Sequence, residues 1–140
     1  MATATMNTTL DQIQSLLAAK GYSVSETGDG VLRIKELSSG ITLQAVLAGE
    51  ILYLSLVCMS VKESSLTPAT LRKMLASDNG ISTSYFQLYS TGGGDVAVTL
   101  NNFCKLQEIG PDDEDDILSC VSFLLADVVH AKELLGGDLK

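Results

Sequence analysis

The stretch that decides the fold runs from Tyr22 to Val61: YSVSETGDGVLRIKELSSGITLQAVLAGEILYLSLVCMSV. It reads as four β-strands in succession. Tyr22 and Val24 alternate with Ser23 and Ser25, and Gly28-Asp29-Gly30 supplies the positive φ angles of a tight hairpin. Val31 to Leu37 alternates again, with Leu32 and Ile34 set against Arg33 and Lys35. Ser38-Ser39-Gly40 leads into Ile41 to Leu47, and Gly49-Glu50 turns the chain into Ile51 to Val61. Connections this short join antiparallel neighbours, because a parallel pair needs a crossover of roughly a dozen residues or more. The fourth strand is apolar on both faces: Ile51, Tyr53, Val57 and Met59 on one, Leu52, Leu54, Leu56 and Cys58 on the other. That pattern predicts a central strand covered on both sides.

Helical signals flank the meander. Thr9-Leu10-Asp11-Gln12 has the spacing of a capping box, and Leu10, Ile13, Leu16 and Leu17 follow as one apolar stripe ending at Gly21. This predicts a first helix from Thr9, with residues 1–8 held loosely outside it. After the meander, Leu66-Thr67-Pro68 starts a short helix: Thr67 at the N-cap, Pro68 at the first helical position, and Leu66 able to staple onto Leu71. It should end near Asp78-Asn79-Gly80. Ser82 to Tyr89 returns to strand, Thr91-Gly92-Gly93-Gly94-Asp95 turns, and Val96 to Leu100 pairs back. Asn101 to Ile109 reads as a turn or two of helix or an irregular crossing. The last helix spans about Pro111 to Leu135, with Ile117, Val121, Leu124, Val128 and Leu135 on one face, and is on the order of 35 Å long.

The predicted class is therefore α+β: one antiparallel twisted sheet in the order α-ββββ-α-ββ-α, helices packed mainly on one face, in a single domain over residues 1–140. The chain is 46% hydrophobic and 19% charged, a globular composition of a size that builds a core without disulfide or metal. A formal charge of −8 argues against nucleic acid, whose binding rests on a basic stripe that displaces counterions. It argues equally against anionic lipid surfaces and favours a basic protein partner. Apolar runs are too short to span a bilayer, Met1 to Thr9 lacks a secretory pattern, and three well-separated cysteines suit a reducing compartment. A cytoplasmic location is expected.

Little in the sequence carries chemistry. Asp112-Asp113-Glu114-Asp115-Asp116 lacks the alternation and glycine turn of a calcium loop, and its place in the first turn of a helix suits the helix dipole. Its other reading is a docking site for a basic partner. Gly92-Gly93-Gly94 has no following Lys and Ser/Thr and joins two strands, so it is a hairpin turn rather than a phosphate cradle. His130 is the sole histidine, which leaves no imidazole pair for a metal. Cys58 and Cys120 read as small core residues; Lys105 beside Cys104 is the one local feature that would lower a thiol pKa. No metal, cofactor or catalytic residue is expected.

This order of elements resembles the type III secretion chaperones and the YbjN-type proteins. More narrowly, Glu50 to Leu135 is similar to the bacterial YjfI-like family of unknown function, on Leu56-Val57-Cys58, the aromatic strand Tyr85-Phe86-Gln87-Leu88-Tyr89 and the long acidic helix. The resemblance implies small, acidic, non-enzymatic, commonly dimeric proteins that hold a polypeptide against sheet and helix surfaces. Its agreement with the composition yields the functional expectation: a non-enzymatic, adaptor- or chaperone-like protein-binding module that forms a homodimer. Apolar area beyond the need of one small core motivates it, and the candidate contact residues are Asp112 to Asp116 together with Tyr53, Tyr85 and Tyr89. The alternative is a small-ligand-binding or sensing domain, with Tyr22, Tyr53, Tyr85 and Tyr89 presenting polar tips in a pocket between sheet and helices.

Overall fold

The computed structural model describes residues 2–28, 30–106 and 111–136, with side chains from residue 10 onward except 111 and 112. Its elements follow the predicted order: α1 (Ala2–Ala18), β1 (Tyr22–Glu26), β2 (Val31–Glu36), β3 (Thr42–Ala48), β4 (Ile51–Lys62), α2 (Pro68–Leu75), β5 (Tyr85–Gly92), β6 (Asp95–Lys105) and α3 (Pro111–Leu135). The strands form one antiparallel sheet in the order β1-β2-β3-β4-β6-β5, so β4 is central and β1 and β5 are the edges. In the meander, Val24 sits opposite Ile34, which in turn sits opposite Leu43. Between β5 and β6, Gly93 and Gly94 both take positive φ, 64° and 81°, as a tight hairpin reversal requires. Asp29, named in the first hairpin, lies outside the described residues.

Three sequence expectations need correction. Helix α1 starts at Ala2, so Thr9 lies inside it rather than at its N-cap position; residues 2–8 hold no Gly or Pro to stop a helix. Strand β4 is buried on one face only: Leu52, Leu54, Leu56 and Cys58 point into the core, whereas Tyr53 and Val57 are exposed. The strand buried on both faces is β6, from Val96 to Asn102. That strand also continues to Lys105, into the stretch that reads in the sequence as a turn or two of helix or an irregular crossing; Gln107 to Gly110 lie outside the described residues. Two polar side chains on β6, Thr99 and Asn101, are satisfied within the sheet. Thr99 Oγ1 donates to Gln87 O at 3.0 Å, and Asn101 Nδ2 donates to Thr99 Oγ1 at 2.9 Å.

The described chain divides into two compact units, Met1–Leu54 with Phe103–Val121, and Ser55–Asn102 with Ser122–Lys140. In the first, Ile13 and Leu17 of α1 and Ile117 and Val121 of α3 are buried together with the inward residues Leu32, Ile34, Leu43, Leu52 and Leu54. Gln14 Nε2 donates to Val24 O at 3.2 Å and ties α1 to β1. In the second, Met74, Val98 and Leu135 form a buried cluster against which Met59, Val61, Leu66, Leu71 and Phe86 pack. Thr67 caps α2 as expected, accepting from Thr70 N at 3.2 Å. Asn79 finishes it, donating through Nδ2 to Met74 O at 2.6 Å and accepting from Ile81 N at 2.9 Å.

Candidate functional site

Strand β5 is the least protected element of the second unit. Seven of its eight residues are exposed, and Phe86 is the exception, packed into the Met74 cluster. As an edge it has one strand neighbour, β6, which leaves backbone groups on its other side without a strand partner. Edges of this kind are normally guarded by a charge, a proline or shortness. Tyr85–Gly92 has no charge and no proline, and its register irregularity falls only at the tip, between Ser90 and Gly92. The opposite edge, β1, is five residues long and ends in Glu26.

Tyr85 and Tyr89 stand on the outer face of that pair, opposite Asn101 and Ala97. Large side chains therefore lie over small ones, which explains how Ala97 and Asn101 become buried on an outward face. Tyr89 stays 49% exposed, and its hydroxyl donates to Gln87 Oε1 at 2.6 Å. Val57 of β4 is exposed in the same unit, at 58%. In the first unit the corresponding outward pair is Tyr53 and Phe103, with ring centroids 6.2 Å apart and planes inclined at 43°. Tilted rings at this spacing attract beyond their buried area, yet Phe103 remains 55% exposed.

The acidic run divides by environment. Glu114, Asp115 and Asp116 are exposed at the start of α3, whereas Asp113 is only 3% exposed; the side chain of Asp112 lies outside the described residues. Of the four carboxylates whose side chains are described, three are thus open to a partner. A cleft of about 440 Å³ lies in the first unit, lined by Asp11, Ile13 and Leu16 of α1 and Glu114 and Ile117 of α3 among others. It sits between two helices rather than between sheet and helix, and no tyrosine lines it. Tyr53, Tyr85 and Tyr89 are exposed on the surface, and Tyr22 is half-buried on β1.

Two polar arrangements escaped the sequence reading. Asp127, 1% exposed on α3, accepts from Ser82 N and Ser82 Oγ at 2.9 Å each and from Ser84 N at 3.3 Å. Burial opposes its charge, but these donors outweigh it and hold the carboxyl below its ordinary pKa. Ser84 Oγ lies close enough to favour the charge without reaching hydrogen-bond geometry. The arrangement fixes the irregular segment that leads into β5. The second is a pair of cysteines in the first unit, Cys104 and Cys120, the thiol of Cys120 resting against the carbonyl of the residue before Cys104. His130 is exposed, and among the described residues no three His, Cys, Asp or Glu side chains converge as a metal site.

No known family matches the chain, and no curated protein matches it. Among solved structures, the fold is shared with YbjN from E. coli, described as a candidate transcription regulator, at a TM-score of 0.69 and 14% identity over 93% of each chain. The YbjN-type fold is therefore the fold of this protein. No described helix is long and apolar enough to cross a membrane.

Proposed function

We propose that this chain is a non-enzymatic, adaptor-like protein-binding module that takes an extended segment of a basic partner protein onto the edge strand β5. The observation that carries the reading is the uncharged, exposed edge Tyr85–Gly92. Strand addition gains affinity from main-chain hydrogen bonds and specificity from alternate side chains, here Tyr85, Gln87 and Tyr89 on one face and Leu88 on the other. The charge of −8 favours a basic partner over a second acidic copy. The neighbouring fold of a candidate transcription regulator is compatible with an adaptor acting through proteins. Membership of the YjfI-like family and a cytoplasmic location complete the reading.

Affinity capture from native extract at low salt, followed by amide hydrogen exchange of the reconstituted complex, tests it. Protection should concentrate on β5, and Leu88→Lys or Tyr89→Lys should abolish capture, since both side chains are exposed enough for the fold to tolerate the change. Undiminished capture by both variants, or protection away from β5, refutes the proposal. A homodimer paired through β5 is the competing outcome, seen as a doubled mass by light scattering that either variant returns to a monomer. The small-ligand reading keeps one observation, the cleft between α1 and α3. Its two carboxylates, Asp11 and Glu114, would suit a cationic molecule.

A further inference from the structure

Cys104 stands near the end of β6 and Cys120 midway along α3, and their side chains are near enough for each to act on the other's charge. Cys120 Sγ also donates to the carbonyl of Phe103, the residue before Cys104, at 3.6 Å. The two sulfurs are thus held side by side by packed elements of one compact unit, and they are not joined. Cys104 is 8% exposed, while Cys120 is half-buried and open to a small solute. The third cysteine, Cys58, belongs to the other unit.

We propose that Cys104 and Cys120 form a reversible oxidation site, in which Cys120 is the sulfur attacked by a hydroperoxide and Cys104 resolves it to a disulfide. Cys120, as thiolate, attacks the terminal oxygen of hydrogen peroxide. An S–O bond forms, the O–O bond breaks, and hydroxide leaves as water after taking a proton. The sulfur, oxidised by two electrons, is then a sulfenic acid. Cys104 attacks that sulfur, the S–S bond forms, the S–O bond breaks, and the second water carries away the Cys104 proton. Two thiols and one peroxide thus become one disulfide and two waters, and a dithiol reductant reverses the change.

Electrostatics sets the order of the two sulfurs. The hydrogen bond from Cys104 holds the Cys120 thiol below its ordinary pKa, against the opposing effects of burial and of Asp116. The same hydrogen bond, then burial, then the charges of Cys120, Asp116 and Asp113 push Cys104 up. Burial likewise pushes the Cys58 thiol up to about 11, despite Lys132 and the Leu100 backbone, which removes it from competition.

The test treats the full chain with hydrogen peroxide and maps its peptides without reduction. The expected product is an intramolecular Cys104–Cys120 link, two hydrogens lighter than the dithiol, with Cys58 still reduced and dithiothreitol restoring the original mass. In Cys104→Ser, dimedone should trap the sulfenic acid on Cys120; in Cys120→Ser, dimedone should label nothing. The proposal is overturned by a link that includes Cys58, by cross-linked dimers alone, by Cys120 passing to sulfinic acid without a link, or by no oxidation of the native chain. Because the wild-type map alone can refute it, a variant that fails to fold leaves the outcome decisive.

Discussion

Replacing Asp127 with Asn tests how β5 is held. The carboxylate accepts three hydrogen bonds, two on Oδ1 from Ser82 and one on Oδ2 from Ser84 N. Asparagine preserves the shape and the Oδ1 acceptor, but it loses the charge and turns an NH2 group toward the Ser84 amide. Hydrogen bonds to a buried charged acceptor contribute about 1.5–3 kcal/mol each, and an unsatisfied donor costs about 1–3 kcal/mol. Loss of one bond and weakening of two then amounts to about 2–4 kcal/mol. With an m-value of about 1–3 kcal/mol/M in urea, the midpoint should fall by roughly 1 M or more near neutral pH. The sign of the pH dependence is fixed by the lowered pKa of the folded state. Stability from the ionised carboxylate is fully present above the unfolded pKa and is lost as pH falls through the folded one. The gap between wild type and Asp127→Asn should therefore be widest near neutral pH and should narrow as pH falls below the ordinary carboxylate range. A gap under about 0.5 kcal/mol at neutral pH, or one that persists unchanged in acid, refutes the assigned role.

Thr67→Ala should lower stability by about 1 kcal/mol through loss of the α2 cap, read by urea denaturation. Leu54→Ala should cost about 2–5 kcal/mol, because Leu54 is fully buried on the inner face of β4; Val57→Ala, on the outer face of the same strand, should stay within about 0.5 kcal/mol. Iodoacetamide on the native protein near neutral pH should label Cys120 before Cys58, and Cys58 should become reactive only as pH approaches about 11.

The backbone plan was legible because glycine turns and alternation are local signals. The cap at Thr67 and the span of α3, Pro111–Leu135, came from the same kind of information. What failed was the assignment of faces. Tyr53 and Val57 are as apolar as the residues that alternate with them, so periodicity along β4 cannot say that these two stay exposed. Strand β6 was cut short for the converse reason. Phe103, Leu106 and Ile109 recur at the three-residue spacing of a helical turn, whereas in the sheet Asn101 finds its acceptor in Thr99 on its own strand. The Asp127 arrangement joins residues 45 positions apart, and the two cysteines come from different elements. Neither spacing corresponds to a motif, so tertiary packing alone brings them together.

The surplus of apolar residues noted in the sequence has a location: Tyr53 and Phe103 in one unit, and Val57, Tyr85, Leu88 and Tyr89 in the other. An uncharged edge invites any strand, and main-chain hydrogen bonds carry no discrimination of their own. Discrimination then has to come from the rest of the molecule, and here the available term is charge. Two copies at −8 repel, while a basic segment is attracted, over a Debye length of about 8 Å at physiological ionic strength. Added salt should consequently weaken binding of the basic partner and favour self-pairing at β5. This crossover separates the two occupants of the edge, since a purely apolar contact would respond to salt in one direction for both.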